Sequence, residues 1–580
     1  MVTHGFLPAD PARADRALFA SHHAPTPPVR DVAYVLCPPL HLELIQSYRS
    51  MRRCAEELAA AGFHVLRLHY DGTGESVGGD DEDPGRVVAW LASVQRAVLA
   101  LAAVPGVVSV GLIGVRIGAT FALAASSHLD LSQLVLWELV GGAAYGRELA
   151  ILASSSPQRV PGGLVCAGYW VADATLAELG ALDVERLEPR GRPEVLLVHR
   201  DDRKPAARFR AHFEGLGCPT TATQLAGHKQ MLVMPHKSRV PDAILGGIRD
   251  WALARSRVVD GPAVSGLALE QEATAAGLRW RVLSFGPAGR LFGVLTEPAS
   301  GMTAGAAPVL LLTGGVTPRT AGNGSYVAIA RRLAGKGHTV LRMDAASIGE
   351  SGVVDGSEGD GNDGFPDSLV DDTRAGLERA SAAAPGAKVW LVGLCSGAYA
   401  AFQNALRDPR VGGLVLINPV ALRELVAAPG DGDTAAASAL EKVDQLEQMQ
   451  RYWQVMRSPE SWKKLLSGQA DVRHLAGVLR ARLGARLLAA KESLEARLGR
   501  APRGLAGDLD TLLARGVRVS LVFSEGDPGH ALVLGELGAR LEELTGKGLR
   551  VEVFAGADHN FHELASRREL LAWLDEAIAG

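Results

Sequence analysis

Val110-Gly111-Leu112-Ile113-Gly114-Val115-Arg116-Ile117-Gly118-Ala119 lines up position by position with Val389-Trp390-Leu391-Val392-Gly393-Leu394-Cys395-Ser396-Gly397-Ala398. Each block is an apolar run, then a turn between two glycines, then a run of small residues with helical character. A strand that turns sharply into a helix between two glycines is a nucleophile elbow, usually written Gly-x-Ser-x-Gly. The glycines are required because the central residue sits in a strained turn, where flanking side chains would strike the strand and the helix. In the second copy the centre is Cys395, and in the first it is Arg116.

The match extends in both directions. Leu66-Arg67 leading into Gly74-Glu75-Ser76 mirrors Leu341-Arg342 leading into Gly349-Glu350-Ser351, with the same internal spacing. Leu134-Val135-Leu136 mirrors Leu414-Val415-Leu416. Self-similarity at so long a period predicts duplicated domains and not a short-repeat solenoid. A length of 580 residues leaves room for two cores.

Hydrophobic residues at 47% and charged residues at 21% place the chain among ordinary globular proteins. A net charge of -4 gives no electrostatic reason to expect a nucleic-acid partner. Cys37, Cys54, Cys166, Cys218 and Cys395 show no paired spacing. That pattern fits neither a disulfide framework nor a zinc site, so no metal is expected and a reducing compartment is. Met1-Val2-Thr3-His4-Gly5 lacks the basic start and apolar core of a signal peptide. Ala97 to Val115 imitates a membrane span, but Pro105-Gly106 interrupts it and its second half leads into the first elbow. The expected setting is cytoplasmic, with no membrane span.

Apolar strand runs alternate with helical patterns throughout, the signature of a mostly parallel sheet with helices on both faces. Strands are predicted in the first half at 32–36, 63–68, 109–113, 134–137 and 195–198, with helices at 51–61 and 243–254 and one opened by Asp83-Pro84. About 258–274 reads as a linker, so the predicted domains are 1–257 and 275–580. In the second half, 280–283 and 293–295 suggest an opening hairpin. Further strands are predicted at 309–312, 339–343, 389–392, 415–417, 519–523 and 551–554. Asp355 to Gly364 reads as an acidic, glycine-rich surface loop. A helical insertion at about 421–502 carries Tyr452, Trp453 and Trp462 and then a basic stretch. It is expected to cap the second domain only, with Trp453 and Trp462 lining the substrate pocket, although a solvated charged helix would read the same way.

A thiolate at the elbow needs a base within reach and a third group to orient that base. Ser524-Glu525-Gly526-Asp527 follows the predicted strand at 519–523, and Gly556-Ala557-Asp558-His559 follows the last strand. This chain order assigns Cys395 as nucleophile, His559 as general base and acid, and Asp527 as orienter. Asp558 and Glu525 are rival acids, and His530 and His562 are bystanders. Ser396 is the rival nucleophile, although its place after the turn suits its amide for the oxyanion. The second oxyanion donor is expected from Thr313-Gly314-Gly315-Val316, at Gly315 or Val316.

In the first half Arg116 stays protonated and cannot attack a carbonyl. His228 and Asp201 or Asp202 still resemble base and acid positions, whereas Pro38 and Pro39 offer no amide where a donor is wanted. Two readings of Arg116 stand: a buried ion pair with Glu138 or Asp202, or an anchor for an anionic ligand. Either way the first domain is expected to be a scaffold or binding module.

From about Trp280 onward the chain resembles α/β-hydrolases of the serine aminopeptidase/lysophospholipase-like kind. The likeness lies in Gly393-Leu394-Cys395-Ser396-Gly397-Ala398 and Leu414-Val415-Leu416-Ile417-Asn418-Pro419. The first half is similar to hydrolase-like proteins of bacterial exosortase-associated and polysaccharide gene clusters, through Tyr70-Asp71-Gly72-Thr73-Gly74-Glu75-Ser76, Val135-Leu136-Trp137 and the elbow arginine. The resemblance implies two tandem α/β-hydrolase domains. An elbow cysteine also resembles dienelactone hydrolases, which implies lactone opening, and polyhydroxyalkanoate synthases, which implies acyl transfer from a thioester. The expected activity is cleavage or transfer of an acyl group from an ester or thioester, free or carrier-bound, through acyl-Cys395 and without a cofactor. A catalytically silent paired-domain scaffold and an amidase or peptidase are the alternatives.

Overall fold

The computed structural model describes residues 1–8, 16–79, 85–154, 159–259, 266–320, 324–353, 366–423 and 504–579. The expected cap at 421–502 lies almost wholly outside the described residues, and Trp453, Trp462, the acidic loop at 355–364 and the Asp83-Pro84 pair lie entirely outside them. The chain divides into two units, residues 1–283 with 320–328, and residues 284–319 with 329–580.

In the first unit the strand order is Val2–Phe6, Phe19–His23, His64–Leu68, Val32–Cys37, Ser109–Val115, Gln133–Trp137, Glu194–Arg200 and Thr220–Leu225. The first two strands are antiparallel to their neighbours, and the rest run parallel. Alternate residues of Val32–Cys37 enter different cores: Ala33, Val35 and Cys37 pack with Trp90, Val94 and Phe121. Val32, Tyr34 and Leu36 pack with Met51, Leu58, Ile244 and Ile248. A strand buried on both faces has no polar side to show, and this is why it reads as an unbroken apolar run.

The second unit repeats that order with Leu291–Pro298, Val340–Asp344, Val309–Leu312, Val389–Leu394, Val411–Ile417, Arg518–Ser524 and Arg550–Phe554. Of these strands Leu291–Pro298 runs antiparallel to Val340–Asp344, and the others pair in parallel. The two units also share local bonds. Ser76 Oγ donates to His69 O at 2.8 Å and accepts from Phe19 N at 2.9 Å, while Ser351 Oγ donates to Asp344 O at 2.7 Å and accepts from Phe292 N at 2.9 Å. Both units therefore hold mostly parallel sheets with helices on both faces, the α/β-hydrolase fold.

Several details differ from the sequence reading. The segment read as a linker is partly ordered: Glu270 bridges Phe6, and Glu272–Ala275 pairs with Leu278–Phe285 as an antiparallel hairpin. The helix expected to open at Pro84 begins at Val87, and the one expected at 51–61 begins ten residues earlier, at His41, and runs to Ala60. The first unit carries its own insertion after Gln133–Trp137, so this position is not specific to the second half. It consists of helices Gly142–Ser154 and Asp173–Gly180 and a small antiparallel sheet of Arg159–Val160, Gly163–Cys166 and Tyr169–Ala172. Among the described residues no helix is long and apolar enough to cross a membrane.

Candidate active site

In the second unit the strand Val389–Leu394 lies between Val309–Leu312 and Val411–Ile417, and turns at Cys395 into the helix Ser396–Arg407. Cys395 has φ 53° and ψ -115°, with its amide held by Ile417 O at 3.0 Å. A side chain in this region costs about 1–3 kcal/mol, which the surrounding structure must offset. The flanking glycines are sterically fixed. A Cβ at Gly393 would lie 2.3 Å from Gly397 O, and one at Gly397 would lie 2.5 Å from Leu312 O.

The other four cysteines are buried, while Cys395 is partly exposed. Its neighbour Ser396 is only 1% exposed, and its hydroxyl accepts a hydrogen bond from the Gly315 amide at 2.8 Å. The Gly315 amide is thus directed at that hydroxyl, and of the two expected loop donors Val316 is left. Neither the Ser396 amide nor the Val316 amide makes a hydrogen bond among the described residues. Gly314 brings this loop against the elbow, since a Cβ there would sit 2.8 Å from Leu394 O and 3.0 Å from Cys395 Cβ.

The strand Arg518–Ser524 ends in the loop that carries Asp527. The Asp527 side chain is fully buried; Oδ1 accepts from the Gly529 amide at 2.8 Å, and Oδ2 meets His559 Nδ1 at 2.7 Å. Gly529 is required where this loop crosses Pro419, because a Cβ would lie 2.3 Å from Pro419 O. Burial disfavours the His559 imidazolium, but hydrogen bonding and charge from Asp527 and Cys395 outweigh it and hold the ring's pKa well above 6.5. The ring, 27% exposed, is bonded to the carboxylate, and the thiol is among the groups that raise its pKa.

The rival groups are engaged elsewhere. Asp558 Oδ1 accepts from the His562 amide at 2.6 Å, and Oδ2 pairs with the His562 ring. Burial pushes the Asp558 carboxyl pKa up, and the bonds from His562 more than reverse that. Glu525 Oε2 accepts from the Gly556 amide at 3.0 Å, and the His530 ring packs on Phe523 at 4.9 Å.

One buried residue of this region carried no role in the sequence reading. Asn418 follows Val411–Ile417 at φ 43° and is fully buried. The Asn-Pro pair after an apolar strand is the only trace it leaves in the sequence.

The first unit repeats the elbow geometry without the chemistry. Arg116 has φ 57° and ψ -122°, and its amide is held by Trp137 O at 2.9 Å. Its partners are not the expected Glu138 or Asp202: Nε meets Glu43 Oε1 at 3.0 Å and Nη2 pairs with Glu148. Glu138 instead accepts from the Arg200 amide at 3.1 Å, and Asp202 pairs with the Arg200 guanidinium. His228 Nδ1, where an orienting carboxylate would bind, accepts from Trp137 Nε1 at 3.0 Å. Burial first, then Arg116 and Arg200, push the His228 pKa down to about 3, so the ring is neutral.

No curated protein sequence matches the chain. Among solved structures it is similar to Est1E from Butyrivibrio proteoclasticus with bound ferulic acid, at 16% identity over 43% of this chain and 98% of that one, with a TM-score of 0.33. It is also similar to the thioesterase domain from the curacin biosynthetic pathway, at 17% identity over 44% and 99%, with a TM-score of 0.28. A dienelactone hydrolase from Anabaena variabilis aligns at 14% identity over 49% and 89%, with a TM-score of 0.26. Residues 309–572 match the model of the alpha/beta hydrolase family, and the second unit therefore carries an alpha/beta hydrolase domain.

Proposed function

We propose that the second unit is an acyl hydrolase or acyltransferase that works through an acyl-Cys395 intermediate on an ester or thioester. The alpha/beta hydrolase domain over 309–572 supports a hydrolase. The observation that most supports the cysteine reading is His559 bonded to buried Asp527 at 2.7 Å in the unit whose positive-φ elbow carries Cys395. In this reading Asp527 fixes the tautomer and orientation of the ring and offsets its positive charge.

The steps balance without a cofactor. His559 takes the Cys395 proton, and Sγ attacks the acyl carbon. The carbonyl electron pair moves onto oxygen, which the Ser396 and Val316 amides receive. Collapse breaks the bond to the leaving alcohol or thiol, which takes the proton from His559 and departs. Water or an acceptor then attacks the acyl-cysteine while His559 removes its proton, and the second collapse restores the thiol. A thiolate is both a good nucleophile and a good leaving group, which favours thioester substrates and transfer to thiols or amines.

The first unit serves in this reading as scaffold or binding module, since its elbow side chain is held between two carboxylates. The reading is tested by intact mass after incubation with acyl esters and acyl thioesters. An acyl adduct on wild type, absent from Cys395→Ala, is expected; an adduct that persists in Cys395→Ala, or maps to Ser396, would overturn it.

A further inference from the structure

Asn418 Nδ2 donates to two acceptors, His559 O at 2.8 Å and Ser524 Oγ at 2.8 Å, and its Oδ1 accepts from the Ser524 amide at 2.8 Å. Its own amide donates to Val522 O at 2.8 Å. One fully buried side chain thus joins the end of one strand, the strand that leads to Asp527, and the backbone of His559. The donor character matters. A carbonyl oxygen can only be met by a donor, and an amide side chain supplies donor and acceptor at once.

The first unit contains the matching position, and it differs in this respect. Glu138 follows Gln133–Trp137 at φ 49°, its amide donates to Val198 O at 2.8 Å, and its Oε2 accepts from the Arg200 amide at 3.1 Å. The acceptor half of the arrangement is kept, but an ionised carboxylate has nothing to donate to a carbonyl. In that unit the elbow carries arginine, and the histidine ring is bound to Trp137 and not to a carboxylate. The unit with the Cys395–His559–Asp527 cluster has the donor, and the unit without it has an acceptor-only side chain.

We infer that Asn418 is a positioning residue for His559, and that its donated bond to the His559 carbonyl sets the ring between Asp527 and Cys395. It touches none of the reacting atoms. This inference rests on the acyl-cysteine reading for its effect on turnover, but the position of the ring is independent of that reading.

The test uses the full chain and three measurements: acyl adduct formation on wild type, kcat and KM on an acyl ester or thioester that gives the adduct, and the His559 ring titration by NMR. Asn418→Asp keeps the acceptor for the Ser524 amide and tolerates the positive φ, but replaces the donor with an oxygen facing the His559 carbonyl. It is expected to lower kcat about 10²-fold, the order of loss for a misplacement near 1 Å, with KM changed less than about threefold. It also brings the His559 titration down toward the ordinary imidazole value. Asn418→Gly suits the backbone, deletes the donor and is read in the same way if the aspartate variant does not fold. Ser524→Ala removes the other acceptor only and is expected to titrate as wild type. A folded Asn418→Asp or Asn418→Gly variant with the wild-type His559 titration would overturn the inference, as would a Ser524→Ala variant that shifts the titration equally. Failure of the wild type to form an adduct would instead count against the acyl-cysteine reading, and the titrations would still decide the role of Asn418.

Discussion

At the scale of residues, the choice of orienting acid follows from who holds whom. Asp527 is buried and bonded to His559, whereas Asp558 is taken up by His562. Asp527→Asn is therefore expected to lower kcat about 10²- to 10⁴-fold, the range of a general acid–base contribution, and Asp558→Asn to change it less than about threefold. The pH dependence has a definite sign. The folded-state pKa of His559 lies well above 6.5, so the imidazolium's contribution to stability is fully present below 6.5 and is lost as pH rises through the raised value. Asp527→Asn brings that ionisation back toward 6.5, which urea unfolding measured from pH 6 upward and the ring titration both read. A crippled Asp558→Asn beside an active Asp527→Asn would reverse the assignment.

At the scale of elements, the elbow works because strand and helix approach more closely than side chains allow. Gly397→Ala would drive a Cβ to 2.5 Å from Leu312 O and 2.7 Å from Thr313 O, both backbone atoms that cannot step aside. The expected result is a loss of about 1–3 kcal/mol in denaturant unfolding together with loss of Cys395 labelling, because the loop that carries Val316 is pushed off the elbow. Unchanged stability and labelling would mean that the elbow relaxes freely. The central strands were legible in the sequence because they are apolar on both faces, and the elbow because its glycines have no substitute. The first unit's strands Phe19–His23 and Thr220–Leu225 were not. Phe19–His23 buries Ser21, His22 and His23, which bond sideways to His4 at 2.9 Å, His64 at 3.1 Å and Arg67 at 3.0 Å. Thr220–Leu225 is an edge strand with polar residues facing out and carries no apolar run. The positions of Cys395, His559 and Asp527 could be proposed from the sequence because each follows a strand: Val389–Leu394, Arg550–Phe554 and Arg518–Ser524. The partners of Arg116 could not, since Glu43 and Glu148 come from two separate helices that only the folded chain brings to the elbow.

At the scale of the whole molecule, one strand order occurs twice, and among the described residues the second copy has cysteine at its elbow and a histidine bonded to a carboxylate, while the first has arginine at its elbow. Arg116→Met tests what the other copy does. Stranding Glu43 and Glu148 is expected to destabilise the first unit by about 2 kcal/mol, below the about 3–5 of a fully buried pair because Glu148 is 41% exposed. Turnover at the second unit should stay within about tenfold; a larger loss at unchanged stability would make Arg116 a ligand anchor. Cys395 is the centre of the proposed chemistry. The most direct measurement is the intact mass of the protein after exposure to an acyl thioester, with the modified peptide then sequenced. One acyl group per chain is expected, carried by Cys395, absent from Cys395→Ala and slowed at least about 10²-fold in His559→Ala. An acyl group on Ser396, or equal labelling of the Cys395→Ala chain, would contradict that chemistry.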